Sequence, residues 1–318
     1  MATTVSVTTT YAGEFAGKYV AAALLSADTI EKGLITVKPN IKYKEVLKKA
    51  STANLLKDAS CDFTATGSVT LTERILEPKE LQVNVQLCKD SFRSDWEAVS
   101  MGYSAFDTLP KNFADFLIAH VAADVAAANE VSIWSGDASN SGEFDGFETL
   151  LAADANLVAA QEVTGTTVTA SNVITELGKI VDAIPSRLYG KEGLQIYAAQ
   201  NIVKAYVRAL GGFGTSGLGA SGVGSQGTMW YNGQGLNFDG VPIVMCPGMT
   251  ANVAICTTKD NLYFGTGLLS DMNQVKVLDM ADLDGSQNVR VIMRMTAGVQ
   301  YANVEDIVTY GIVNPSVS

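Results

Sequence analysis

The stretch of sequence that decides the fold spans residues 112–150 and reads NFADFLIAHVAADVAAANEVSIWSGDASNSGEFDGFETL. Its first part, 112–133, carries apolar side chains at three- and four-residue spacing, which is the pattern of one helix face: Phe113, Phe116, Leu117, Val121, Val125 and Ala128. Asn112 is placed to cap this helix, with Asp115 as its capping-box partner. At ~1.5 Å per residue the helix is roughly 33 Å long, which predicts a structural beam.

A polar, glycine-rich turn, Ser135–Gly142, follows the predicted helix, and Gly146 and Phe147 come after it. The turn has part of the spacing of a calcium-binding loop, at Asp137, Ser139, Ser141, Gly142 and Glu148. Two of these positions hold Ser where that loop needs Asp or Asn, and the following segment lacks the second helix. A polar turn that ends the helix is the favoured interpretation, and no metal site is predicted.

The composition argues against several functions. The 318-residue chain has a formal net charge of −11, so sequence-directed binding of a phosphate backbone is not expected, although DNA enclosed without being gripped is compatible. Charged residues make up 17% of the chain; this is low and indicates a surface partly covered by partners. The start of the chain lacks a signal-peptide pattern, and the longest apolar run, Tyr19–Leu25, is too short to span a membrane.

The cysteines are scattered along the chain without a Cys-x-x-Cys pair. In a chain of this length they predict reduced cytosolic thiols, with neither a disulfide framework nor a zinc site: Cys61, Cys88, Cys246 and Cys256.

The first 70 residues differ from the rest. Residues 1–40 predict an arm, with a short helix at Tyr19–Leu25 and a break at Pro39. Residues 41–70 hold a cluster of lysines and then a polar segment, Cys61–Val69, typical of a strand pair with a glycine break. Since a two-stranded ribbon is marginal in water, we expect this segment to project from the body and to be stabilised by another subunit.

Two strands show strict alternation of apolar and polar residues, Leu81–Leu87 and Val289–Met295, and Val299–Val308 is strand-like as well. Between them lies an α/β section with a second helix, 171–184, capped by Ser171 or Asn172 and stopped by Pro185. Its other elements are predicted in a fixed order: a strand at 194–198, a helix at 202–209, a glycine-rich tract to Gly235, and strands at 241–245, 253–256 and 274–278.

This order of elements resembles the major capsid proteins of tailed bacteriophages, the Hong Kong 97-type α+β fold. The most telling pieces are the turn with Gly136-Asp137 and Gly146-Phe147, and the step Gly240-Val241-Pro242-Ile243-Val244. The resemblance implies an N-terminal arm (1–40), an extended projecting loop (41–70), a peripheral domain (71–170 and 286–318) with a spine helix (112–133), and an axial domain (171–285).

The resemblance also implies a function. The chain is expected to be a structural protein, not an enzyme, that self-assembles into hexamers and pentamers of an icosahedral shell. That shell would enclose double-stranded DNA in the virion, after assembly in the bacterial host cytoplasm. Scaffolding protein and portal are the expected partners, with no membrane. No catalytic, cofactor-binding or metal-ligating residue is predicted.

Three features of the sequence suggest chemical activity, and each has a simpler interpretation. His120 and Asp124, one helical turn apart, have the spacing of a base and its orienting carboxylate, but a helix-face pair explains them more simply. The tract from Gly212 matches G-x-G-x-x-G repeatedly, yet a helix precedes it where a dinucleotide site needs a strand, so a loop is favoured.

The third feature comes with the resemblance, since some relatives join subunits by a Lys–Asn isopeptide bond assisted by a Glu. Lysines are present in the projecting loop, but Val289–Gly298 contains no acidic residue. Cross-linking is therefore not expected.

Two other functional classes stay open at this stage. An encapsulin-like nanocompartment shell has the same fold and encloses an enzyme in place of a genome. An α/β enzyme would need a cluster of titratable residues at a pocket, and the single histidine and the scattered cysteines argue against it.

Overall fold

The computed structural model describes residues 28–53, 55–59, 61, 66–88, 111–210, 235–267 and 276–314. The predicted helix at Tyr19–Leu25 and nearly all of the glycine-rich tract lie outside these residues. The helices are α1 Asp28–Glu31, α2 Lys111–Ser135, α3 Phe147–Ala153, α4 Val173–Asp182, α5 Gln200–Leu210 and α6 Ala281–Asp284. The strands are β1 Thr36–Lys38, β2 Glu45–Ala53, β3 Ser68–Leu76, β4 Lys79–Cys88, β5 Glu162–Val163, β6 Leu194–Ala198, β7 Asn237–Phe238, β8 Val241–Met245, β9 Ala254–Thr258, β10 Leu262–Thr266, β11 Lys276–Asp279, β12 Asn288–Tyr301 and β13 Val308–Tyr310.

The described strands form two larger sheets and a separate two-stranded ribbon, β2–β3. In the first sheet β12 is central. One edge of β12 pairs with β4, and the other edge pairs with β11 near its start and with β10 near its end. β1 pairs with the far edge of β10. The second sheet has the order β5-β13-β9-β6-β8-β7. The predicted boundaries do not coincide with these sheets, because β10 and β11 fall within 171–285 but pair with β12, while β5 and β13 fall outside 171–285 but belong to the sheet of β6, β8 and β9. Pairing between residues far apart in sequence overrides the boundaries drawn from the order of elements.

The predicted long helix is present as α2 and is slightly longer than predicted. The helix includes Lys111, so Asn112 lies inside it and is not its N-cap. On the C-terminal half the buried face is Val125, Ala126, Asn129, Glu130, Ile133 and Trp134. Val125 was predicted on this face, but Ala128 is exposed. The stripe was misplaced because it was built on apolar residues alone, whereas Asn129 and Glu130 are buried polar residues.

The turn after α2 folds back on the helix through its glycines. Gly146 N donates to Gly136 O at 2.9 Å, and Thr149 Oγ1 donates to the same carbonyl at 2.6 Å. A Cβ at Gly146 would lie 2.6 Å from Trp134 O. The glycine-aromatic step thus allows backbone to pack on backbone and places Phe147 against Trp134, with ring centroids 5.4 Å apart.

Residues 28–41, here called the strap, belong to the body. Ile30, Leu34 and Ile35 are buried in the main core, and β1 pairs in parallel with β10. Thr29 donates from its backbone and its hydroxyl to the buried carboxylate of Glu130 and accepts from Trp134 Nε1. Within the predicted arm, residues 28–40 are therefore held to the body by apolar side chains and by the buried carboxylate of Glu130.

The second core lies beneath α4 and α5, which pack on the β6–β9 sheet. The strands at 194–198 and 241–245 match their predicted bounds, and a two-residue turn, Asp239 and Gly240 with positive φ at both, joins β7 to β8. The α4 cap differs from the prediction: Asn172 is at the N-cap position but makes no side-chain bond to the helix. Its amide instead bonds the preceding turn at Thr167 and Thr169, which competes with capping.

Candidate functional site

The ribbon is the feature that stands apart from the two cores. Its strands β2 and β3 are antiparallel, in register from Glu45 opposite Leu76 to Ala53 opposite Ser68. A ribbon was predicted, but its strands lie at 45–53 and 68–76 instead of within Cys61–Val69. The alternating residues Val69-Thr70-Leu71-Thr72 favour a strand. Between the strands, the described residues 55–59, 61, 66 and 67 are exposed.

The two faces of the ribbon have different environments. One face is turned to the body, where Leu47 and Leu76 are buried. The other face presents Val46 opposite Ile75, Ala50 opposite Leu71 and Thr52 opposite Val69 to solvent, with the charged residues Lys48 and Glu73 opposite each other between the first two pairs. On this outward face, the exposed large apolar residues are Val46, Val69, Leu71 and Ile75. Leu71 is 76% exposed.

A buried ion pair fixes the base of the ribbon. Arg74 Nη2 pairs with Asp154 Oδ2, and the guanidinium lies 4.4 Å from the centroid of the Tyr301 ring. Tyr301 Oη donates to the same carboxylate oxygen at 2.6 Å. Burial alone would raise the pKa of Asp154, but hydrogen bonds from Tyr301 and the Asn156 backbone, together with Arg74, lower it overall. Asp154 therefore stays ionised, and β3 is tied to both α3 and β12.

A second anchor holds the middle of β2. Lys49 Nζ lies 2.7 Å from Asn303 Oδ1 and 3.1 Å from Glu305 Oε2, both on the loop after β12. On the neighbouring strand, Gln300 Nε2 donates to Ile75 O at 3.0 Å. The sequence did not predict the contact between Lys49 and Glu305. Glu305 lies in a turn beyond the end of β12, far in sequence from the lysines of the ribbon.

The remaining candidates are placed as follows. Glu148 accepts from Thr250 N at 2.9 Å, in another loop, while Asp137 accepts from Ser139 N within its own turn. Across the described residues, no group of three or more His, Cys, Asp or Glu side chains is arranged to hold a metal ion. His120 and Asp124 both lie on α2, and the side-chain surroundings of His120 are outside the described part.

The cysteines are free thiols, two exposed (Cys61 and Cys88) and two buried (Cys246 and Cys256). Burial raises the pKa of Cys256 to about 12 and that of Cys246 well above its usual value, so neither is a thiolate at neutral pH. Among the helices that the structure describes, none is both long and apolar enough to cross a membrane.

Comparison with known proteins gives matches at the level of structure only. No family model matches the chain, and no curated protein matches it. Among solved structures, a chain in the capsid of a native GTA particle matches with a TM-score of 0.59 at 14% identity, over 92% of this chain and 90% of that one. A chain in the capsid asymmetric unit of cyanophage A-1(L) gives 0.57 at 15% identity, over 90% and 93%.

The procapsid of satellite phage P4, a structure that includes the size determination protein, contains a chain with a TM-score of 0.55 at 11% identity, over 93% of this chain and 99% of that one. Because the matches cover both chains almost entirely, they concern the whole architecture. The chain has the fold of bacteriophage capsid proteins. The resemblance drawn from the order of elements is thereby confirmed as a resemblance in fold.

Proposed function

We propose that this chain is the major capsid protein of a tailed bacteriophage, and that its copies form the hexamers and pentamers of an icosahedral head shell around double-stranded DNA. The observation that carries this proposal is the ribbon: it presents an apolar outward face and is held to the body at its base. Together with the capsid-protein fold, this arrangement favours a role in assembly over one in catalysis.

The apolar side chains on the outward face of the ribbon require a partner surface that buries them. Two-stranded ribbons are marginally stable by themselves. Ala50, Leu71 and Val69 form an exposed apolar group at the outer part of the ribbon, and such groups mark surfaces that bind other proteins. In a shell of identical subunits, a neighbouring copy is the partner always present. The ribbon of one copy lies across the next, and its contact area is lost when copies separate.

The proposed parts follow this assignment. The ribbon is the extended projecting loop, the sheet around β12 with α2 is the peripheral part, and the β6–β9 sheet with α4 and α5 is the axial part. Contacts between different surfaces of identical copies close into rings when the rotation allows. Scaffolding protein and portal are proposed partners. DNA is enclosed without sequence-specific contacts, as the net charge of −11 favours.

The test is assembly of the purified chain, compared between the wild type and two leucine variants. Leu71→Glu places a charge on the outward face of the ribbon, and Leu283→Glu places one on α6, where the leucine is 70% exposed and so similar to Leu71. We expect closed shells by negative-stain electron microscopy for the wild type and for Leu283→Glu. We expect folded subunits without shells for Leu71→Glu.

Shells of normal size from Leu71→Glu would show that the ribbon face is not an assembly contact. A wild-type chain that remains monomeric at high concentration would contradict the proposed function itself. Particles purified from an expressing host that contain a protein cargo and no nuclease-protected DNA would favour the nanocompartment alternative.

A further inference from the structure

A second surface of the body carries charge in place of apolar side chains. In β12, Val289, Val291 and Met293 are buried, and the alternate residues Arg290 and Arg294 point to the opposite, exposed face. The registers with β4 and β11 extend this face to both sides. Its polar members are Glu80, Gln82, Asn84 and Gln86 on β4, Arg290 and Arg294 on β12, and Lys276 on β11, opposite Ile292. We call Lys276, Arg290 and Arg294 the cationic face.

The cationic face stands out in this acidic chain because it brings three cations to one exposed surface, and none of them is in an ion pair among the described residues. Some described lysines and arginines pair with carboxylates of the same chain, such as Lys44 with Glu77 and Lys179 with Glu176. Arg290 donates only to the amide oxygen of Gln86, at 2.8 Å. Among the described residues, none of the three cations of this face contacts a carboxylate.

A complementary surface exists elsewhere on the same chain. The turn 137–145, here called the acidic turn, carries Asp137, Glu143 and Asp145, which are exposed or half-buried. Each carboxylate accepts a backbone N–H of its own turn: Asp137 from Ser139, Glu143 from Asp137, and Asp145 from Ala138. These bonds hold the turn in one shape before any partner arrives. Lys79 also supports it, donating to the backbone carbonyls of Ala138 and Glu143.

We infer that the cationic face of one copy docks on the acidic turn of a second copy. This inference rests on the proposed function, since it names a contact between the subunits of the shell. Three cations meet three carboxylates, and the side-chain amides of Gln82, Asn84 and Gln86 supply further hydrogen bonds. Arginine suits this role because its planar fork binds a carboxylate through two N–H groups.

The geometry of the contact agrees with ring formation. The cationic face and the acidic turn are different surfaces of one chain, so the contact is head-to-tail and leaves each copy able to bind two neighbours. It also answers a problem of charge: copies with a net charge of −11 repel one another, and a cation-to-carboxylate contact fixes the one orientation in which they attract. Three cations on an acidic body fit a carboxylate partner better than a nucleic acid.

The first arm of the test is charge reversal in the full chain. Arg290→Glu with Arg294→Glu is compared with Lys191→Glu plus Lys259→Glu, which changes the net charge equally at exposed sites outside the cationic face. Circular dichroism melting checks that both variants fold. We expect the arginine variant to self-associate at least about tenfold more weakly by analytical ultracentrifugation, and the lysine variant to be unchanged or to associate slightly more weakly.

The second arm maps the contact chemically. A carbodiimide couples an amine to a carboxylate that touches it, and Lys276 is a native amine on the cationic face. A mixture of ¹⁴N- and ¹⁵N-labelled wild-type chains separates coupling between copies from coupling within one. We expect mixed-isotope peptides that join Lys276 to Asp137, Glu143 or Asp145.

The outcomes separate this inference from the proposed function. The inference would be overturned, and the shell function left intact, if the wild type and the arginine variant formed shells equally well. The same holds if wild-type shells form and Lys276 is coupled only to carboxylates outside the acidic turn. Coupling to the acidic turn in open oligomers that never close would support the contact and contradict the shell. A variant that assembles normally but loses protected DNA would assign the cationic face to nucleic acid, against the inference. A wild type without any self-association would overturn both.

Discussion

Gly146 offers a direct test of why the turn after α2 has its sequence. A Cβ built on Gly146 would lie 2.6 Å from Trp134 O and 2.7 Å from Ser132 O. Both atoms belong to the backbone of the last turn of α2, so no side-chain rotation relieves the contact. Overpacking of this kind costs about 1–3 kcal/mol, and we expect Gly146→Ala to lower the free energy of unfolding by about 2–3 kcal/mol.

Gly178 is the matched control. It lies within α4, and a Cβ added there meets nothing within 4 Å. Since alanine is favoured over glycine in a helix interior by up to about 1 kcal/mol, Gly178→Ala should leave the stability unchanged or raise it by that amount. The same chemical change is thus expected to have opposite signs at two positions.

The measurement is urea unfolding of the unassembled subunit, followed by circular dichroism at 222 nm, with thermal melting as a second readout. A change of 1 kcal/mol corresponds to a shift of about 2 °C in Tm for a chain of this size. Wild-type stability in Gly146→Ala would refute the close-packing explanation. Equal losses in both variants would show that the turn is not special.

Two further predictions concern charged groups. Arg74→Ala should lower the free energy of unfolding by about 2–3 kcal/mol, because it leaves the Asp154 carboxylate buried without its cation, whereas Arg187→Ala, in an exposed pair, should cost less than about 1 kcal/mol. Since the pKa of Asp154 is lowered in the folded state, the larger stability loss of Arg74→Ala is complete above about pH 4 and becomes smaller below it. Thermal melts of both variants at pH 7 and pH 3 measure the two losses. Equal losses for the two variants at pH 7 would contradict the anchoring role of Arg74. Burial raises the pKa of Glu148 in the folded state, although the hydrogen bond from Thr250 N lowers it in part. The folded protein therefore loses stability as the pH rises from the pKa of Glu148 in the unfolded chain to its pKa in the folded protein. Glu148→Gln should therefore match or exceed the wild-type Tm at pH 7–8 and lose that advantage near pH 4, and a lower Tm at pH 7 would count against it.

Local patterns predicted the elements that local physics defines. The helix α2 was found because a long periodic stretch outweighs any single residue. The strand β8 matches its predicted bounds, and the structure shows that a turn with positive φ at Asp239 and Gly240 precedes it. The strand at 81–87 was found from its alternation alone. In each case the signal lies within about a dozen residues of the element it describes.

Contacts that join distant segments leave no such signal. Arg74, Asp154 and Tyr301 come from three separate parts of the chain, and nothing in their neighbouring residues marks them as partners. Trp134 is fully buried at the centre of the main core but was not placed on the predicted stripe. The assignment of β10 and β11 failed for the same reason, because their partner in the sheet, β12, follows later in the chain.

The positions of the anchors limit where copies of this protein can differ from one another. The main core is continuous from the strap through α2 to the six-stranded sheet, and Tyr197 Oη donates to Leu34 O within it, so the body behaves as one unit. Lys49 and Arg74 extend that unit into the base of the ribbon. Five- and six-membered rings, as proposed, present different angles to neighbouring copies. Of the described part of the chain, the outer ribbon beyond these two residues is the segment that can bend to meet both.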